Sequence, residues 1–161
     1  MFKSASKIGC YPKHYPTTKA YETMSLFEGL LAYYEVKKNP KDIELVKKFV
    51  EDAFLTERSV IGGLSGKGEL FDGFYESQTE KQSIIVQETC VTVTWMRLLR
   101  RLYLLTKDEK YMNAIKTIGE SMYFWPVNRH GGYWHMMIQH NQMWLDGAYM
   151  AGPLSCMYEG K

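Results

Sequence analysis

Apolar residues recur at three-and-four spacing along two stretches of the chain, Tyr21 to Val36 and about Pro40 to Thr56. That period gathers them on one face of a helix. In the first stretch the inner stripe is Met24, Phe27, Leu30, Leu31 and Tyr34. In the second it is Ile43, Val46, Phe49, Val50, Ala53 and Phe54, with Lys47, Lys48, Glu51 and Asp52 opposite. Asn39-Pro40-Lys41-Asp42 between them reads as a helix start: Asn39 caps, Pro40 suits the first helical position, and Asp42 offsets the exposed amides. Two helices joined by so short a turn form an antiparallel hairpin.

The pattern returns further on. Val36 to Ile43 matches Leu105 to Met112, an offset of 69 residues, in an apolar helix end, a polar turn and a new helix. Here Thr106 and Glu109 supply a Thr-x-x-Glu capping box, and Tyr111, Ile115, Ile118 and Met122 the buried face. A Gly-rich break, Asn128 to Gly132, precedes a last predicted helix through about Ala151, which Pro153 would end or kink. The fold class is therefore all-α, built from antiparallel helical hairpins stacked as in a toroid or solenoid.

Composition narrows the class. With 161 residues, 45% of them apolar, the chain can fill the core of one compact domain. Lys plus Arg number 20 against 18 Asp plus Glu, and a net charge of +2 is far from the basic excess of a phosphate-backbone reader. No apolar run approaches the roughly 20 residues of a membrane span, and Met1 to Lys7 has no apolar signal core. The expectation is a cytoplasmic protein with neither nucleic acid nor membrane as partner. Cys10, Cys90 and Cys156 are an odd count without scaffold spacing, which points to a reduced state. Arg97, Arg100 and Arg101 read as a solvated helix face. The glycines of Ile61 to Gly68 let a loop backbone approach a ligand, although no strand and no Gly-Lys-Ser/Thr ending make it a phosphate loop.

Candidate chemistry sits near the breaks. Tyr21-Glu22-Thr23-Met24-Ser25-Leu26-Phe27-Glu28-Gly29-Leu30-Leu31, Ile61-Gly62-Gly63, Gly68-Glu69-Leu70-Phe71-Asp72-Gly73, Gln87-Glu88-Thr89-Cys90-Val91-Thr92-Val93-Thr94-Trp95-Met96 and the Leu105 to Tyr111 turn occur in order. Together, over roughly residues 21–118, they resemble the β-L-arabinofuranosidase family of glycoside hydrolases. The resemblance implies a zinc ion with Glu88 and Cys90 as ligands, and Glu69 as general acid/base. That family's adjacent cysteine pair, one of which is the nucleophile, has no match; Cys156 is the one downstream cysteine, so robust retaining activity is not expected. Geometry adds a condition. Residues two apart on a regular helix point about 200° apart, so Glu88 and Cys90 share a metal only if extended or at a helix start. A helix start also favours the thiolate. The plainer alternatives are a buried apolar Cys90 and a solvated Glu69.

The second segment is Gly131-Gly132-Tyr133-Trp134-His135 and then Asn141-Gln142-Met143-Trp144-Leu145-Asp146-Gly147-Ala148-Tyr149-Met150-Ala151-Gly152-Pro153. It resembles the unsaturated rhamnogalacturonyl hydrolases over roughly residues 128–153. The resemblance implies Asp146 as donor of a proton to the vinyl ether of an unsaturated uronic acid, with Trp134, His135, Gln142 and Trp144 along the sugar cleft. His130, His135, His140 and the tryptophans crowd the same stretch, and aromatics with convergent polar groups suit a carbohydrate cleft. The plainer reading puts Met143, Trp144, Ala148 and Ala151 in the core of a helix.

Both families are (α/α)6 toroids, so 161 residues, enough for five or six helices of ~15 residues, supply about half a ring. One partial toroid domain, 1–161, is expected: an irregular leader 1–17, arabinofuranosidase-like helices over 18–123, and a rhamnogalacturonyl-hydrolase-like segment over 124–161. The expected partner is a plant cell-wall-type oligosaccharide. No cofactor beyond the implied zinc is expected. Three functions stand: an arabinofuranosidase-like hydrolase, a hydrolase of unsaturated uronyl oligosaccharides through Asp146, and a non-catalytic helical domain. A half ring also leaves flanks at Met24, Phe27 and Leu31 and at Met143, Trp144 and Met150, to be covered in a homodimer or by the terminal segments.

Overall fold

The computed structural model describes residues 19–59, 61–64, 71, 88–135 and 140–145. Among them are four helices, α1 (Ala20–Lys37), α2 (Pro40–Thr56), α3 (Thr89–Thr106) and α4 (Glu109–Met122). The described residues contain no strand, only an isolated antiparallel bridge between Val127 and Tyr133. The protein is all-α, as its periodicity predicts.

Each hairpin turns the same way. Lys38 and Lys107 take left-handed φ values of 54° and 60°, and each donates its amide to a tyrosine carbonyl, Tyr34 or Tyr103, at 2.7 Å. The next residue caps the following helix: Asn39 accepts from the Lys41 amide at 3.3 Å, Asp108 from that of Lys110 at 3.1 Å. The capping box expected at Thr106 is not formed. Thr106 is the last residue of α3, and its hydroxyl donates to the Leu102 carbonyl at 2.7 Å, leaving Asp108 as the cap.

The two hairpins pack through their first helices, which run in the same direction, since Arg97 meets Glu28 at 3.1 Å and Arg101 meets Glu35 at 2.8 Å. Parallel first helices with the second helices returning antiparallel make a slice of an α/α toroid. Of the three arginines expected on a solvated face, Arg97 and Arg101 thus join α3 to α1, while Arg100 is exposed. Burial pushes the Glu28 carboxyl above its ordinary pKa, against the lowering effect of Arg97 and Arg101.

The stripes read from the sequence line one core, in which Phe27 stacks on Phe49 at 4.1 Å and Trp95 meets Phe54 edge-on at 5.2 Å. Met24, Phe27 and Leu31, expected as an open flank, are buried within the single chain. At the second flank Met143 and Trp144 are exposed, and Met150 lies outside the described residues. In the glycine loop Gly62 turns at φ +91°, and a Cβ there would meet Ile118 Cγ1 at 2.8 Å. The close approach at Gly62 is therefore to α4, not to a ligand. The predicted last helix does not begin at Gly132: 133–135 and 140–144 are irregular chain, turn or bridge, and Leu145 is the one helical residue in its described part.

Candidate functional site

A bent loop after α4 carries the site. Asn128 accepts the amides of His130 at 2.9 Å and Gly132 at 3.0 Å through its side chain, and Gly131 takes φ +81°. A short polar side chain that mimics a turn, followed by a residue without Cβ, reverses the chain tightly. Trp134 then donates to the Pro126 carbonyl at 3.0 Å and His135 to that of Gln142 at 2.8 Å. Trp134 and His135 are thus presented side by side.

The start of α3 holds this loop. Thr89 donates its amide to the His135 carbonyl at 3.1 Å, and its hydroxyl lies 3.0 Å from the Trp134 carbonyl. Glu88 caps α3 with extended backbone, φ −65° and ψ 135°, and Cys90 follows in the first turn. This meets the condition under which Glu88 and Cys90 can turn toward one point. His135 joins them: its Nε2 lies 3.3 Å from Glu88 Oε1, and one donor atom from each of Glu88, Cys90 and His135 falls within 4.8 Å of the others. All three are buried, with exposures of 4%, 6% and 2%.

On its outer side the His135 ring lies flat against Trp144, with centroids 4.2 Å apart and planes 2° from parallel. Trp144 donates its indole N–H to Gln142 Oε1 at 3.1 Å and stays 46% exposed. Trp134 stacks on His140 at 4.9 Å. Trp144 is neither helical nor core, contrary to the plainer sequence reading. The structure thus brings together Trp134, His135, Gln142 and Trp144 in one cluster, with Glu88 and Cys90 behind it. Glu69, Asp146, Cys10 and Cys156 lie outside the described residues.

The zinc implied by the Glu88-Thr89-Cys90 likeness can be tested against these residues. Carboxylate, thiolate and imidazole are all zinc donors, and three of them converge. The donor set fits, with His135 in the place of a cysteine. Neither His135 as the companion of Glu88 and Cys90 nor Thr89 as its anchor was foreseen. They are far apart in sequence, and no periodicity links a loop histidine to a helix start.

Aromatic faces with polar groups beside them are what a carbohydrate cleft uses. The family model Glycosyl Hydrolase Family 88 matches residues 7–159, and the chain belongs to that family. It is a carbohydrate-active protein of glycoside hydrolase type. The match supports the rhamnogalacturonyl-hydrolase likeness of the C-terminal segment. It gives none to the β-L-arabinofuranosidase likeness. No helix among the described residues is long and apolar enough to cross a membrane.

Proposed function

We propose that the protein hydrolyses the glycosidic bond of an unsaturated uronyl oligosaccharide of rhamnogalacturonan type. Asp146 donates the proton to the vinyl ether, while Trp134, His135, Gln142 and Trp144 hold the sugar. The observation that carries this reading is the His135–Trp144 stack. An indole supported from behind by a buried imidazole, and half open in front, offers a fixed apolar face to a pyranose ring. Gln142, bonded to both His135 and Trp144, keeps that face in place. The role of Asp146 rests on its position two residues after Trp144 in the matching string. A donor working near neutral pH needs a raised pKa.

The alternative keeps one observation of its own, the convergence of Glu88 and Cys90. In the arabinofuranosidase reading Glu69 is the acid and the metal, when bound, holds Cys90 as thiolate. One substrate panel separates the readings. Loss of the double-bond absorbance of an unsaturated rhamnogalacturonan disaccharide is expected, falling about 10²- to 10⁴-fold in Asp146→Asn. Turnover of an aryl β-L-arabinofuranoside instead would replace this reading by the alternative. Turnover of neither by the folded chain would leave a non-catalytic sugar-binding domain.

A further inference from the structure

We propose that Glu88, Cys90 and His135 together bind one divalent metal of zinc type, and that its occupancy fixes the His135 ring beneath Trp144. The third ligand then comes from the loop after α4, not from a further cysteine, and ties that loop to the start of α3. The inference does not depend on Asp146 being the acid.

Distances favour it. Zinc bonds of 2.0–2.3 Å in a tetrahedral shell put donor atoms roughly 3.3–3.8 Å apart. The His135 Nε2 to Glu88 Oε1 separation, 3.3 Å, already has this value, and the whole set lies within 4.8 Å. Charge favours it as well. A dication held by a carboxylate, a thiolate and a neutral imidazole makes a group of zero net charge, which suits a buried position. A sulfur, a nitrogen and an oxygen donor together select zinc over magnesium or calcium, which take oxygen alone.

Nε2 is the nitrogen that faces Glu88, so it is the ligand atom of His135. Thr89 holds the His135 carbonyl through its amide and hydroxyl and so fixes the backbone from which the ring reaches Glu88.

The link to Trp144 follows from the shape of imidazole. Its nitrogen lone pairs lie in the ring plane, so a metal binds at the edge and leaves both faces open. His135 can therefore ligate at its edge and stack on Trp144 with its face. Three protein ligands leave a fourth position for water or an incoming donor.

The test uses the full chain carrying Cys10→Ser and Cys156→Ser, stripped by chelator and reloaded with zinc or cobalt(II). One metal per chain is expected after gel filtration, with a near-ultraviolet thiolate-to-cobalt band that Cys90→Ser abolishes. Glu88→Gln and His135→Ala should each weaken zinc binding more than about 100-fold. Zinc should change tryptophan emission, and Trp144→Phe should remove most of that change while keeping the stoichiometry. A natively helical chain that retains no metal overturns the proposal, as does zinc content indifferent to Cys90→Ser and His135→Ala. Emission that ignores a bound metal overturns the coupling to Trp144. Should a variant lose its helical circular dichroism, the parent's cobalt spectrum decides: a tetrahedral spectrum with a thiolate ligand supports the site, an octahedral oxygen-only one sinks it.

Discussion

Compare the beginnings of the two hairpins. Lys19 and Glu88 hold the same place 69 residues apart, with nearly the same backbone, φ −59° and ψ 139° against φ −65° and ψ 135°. Each accepts the amide of the threonine four residues on, Thr23 or Thr92, at 3.1 Å. Yet Lys19 is exposed, while Glu88 is buried with Cys90 against His135. At the opposite ends of these helices the repeat keeps its chemistry too: Lys38 and Lys107 even lie over the rings of Tyr34 and Tyr103 at 5.6 and 5.7 Å. Where the copies agree in backbone and side chain, the residues make the fold. Where they agree in backbone and differ in side chain, the second copy gathers Glu88, Cys90 and His135 at one point.

The shared part should be the costliest to break. Phe27→Ala removes a fully buried ring stacked on Phe49, joining the first hairpin's two helices in the core that also holds α3. A loss of about 3–5 kcal/mol is expected in denaturant unfolding. A loss below about 1 kcal/mol would mean that the Phe27–Phe49 stack does not anchor the core.

Legibility in the sequence divides along the same line. The helices came through because an apolar stripe, a proline after a capping asparagine, and a repeated turn are local signals, each contained within a few residues. Helix ends were read to within a residue for α1, where Tyr21 to Val36 became Ala20–Lys37. The cap of α4 was misplaced because Thr106 satisfied a motif while still the last residue of α3, where its hydroxyl accepts the Asp108 amide and not one of the first amides of α4. The site was legible only in pieces. Glu88 and Cys90 were singled out by one likeness and His135 by another, but their meeting depends on the Thr89 clamp across 46 residues, which no pattern encodes. The helix expected after Gly132 was placed too early because Met143, Trp144 and Ala148 have helical spacing whether or not the chain is helical, and the stretch before Leu145 is held by His135 and Gln142 instead.

Exchanging the two starts sharpens the comparison. Lys19→Glu changes an exposed residue and should move stability by less than about 0.5 kcal/mol. Glu88→Lys puts an ammonium beside His135 in the interior and removes its acceptor, and should cost about 2–3 kcal/mol. The far-UV spectrum should keep its helices, because the backbone carbonyl of Glu88, not its carboxylate, accepts the Thr92 amide. Equal small effects at both positions in thermal unfolding would show that the second start is not specialised.

The smallest expected difference lies within the shared turns, where Asn39 and Asp108 cap alike but only Asp108 titrates. The hydrogen bond from the Lys110 amide is the largest influence holding the Asp108 carboxyl below its ordinary pKa, aided by the Lys110 ammonium. The sign follows from linkage. A carboxylate with a lowered folded pKa contributes stability that is whole above its unfolded pKa and is lost as pH falls through the folded one. Acidification below the ordinary carboxylate range should therefore loosen the first turn of α4 and leave that of α2 intact. Amide chemical shifts followed by NMR on lowering the pH provide the measurement: the Lys110 resonance should titrate below the usual aspartate value, and the Lys41 resonance should show no such step. Replacing Asp108 by Asn should make the two turns behave alike, since an asparagine cap accepts the same amide at any pH. A Lys110 step that survives Asp108→Asn would assign the titration to another carboxylate, with Glu51, the other acidic partner of the Lys110 ammonium, the first to examine.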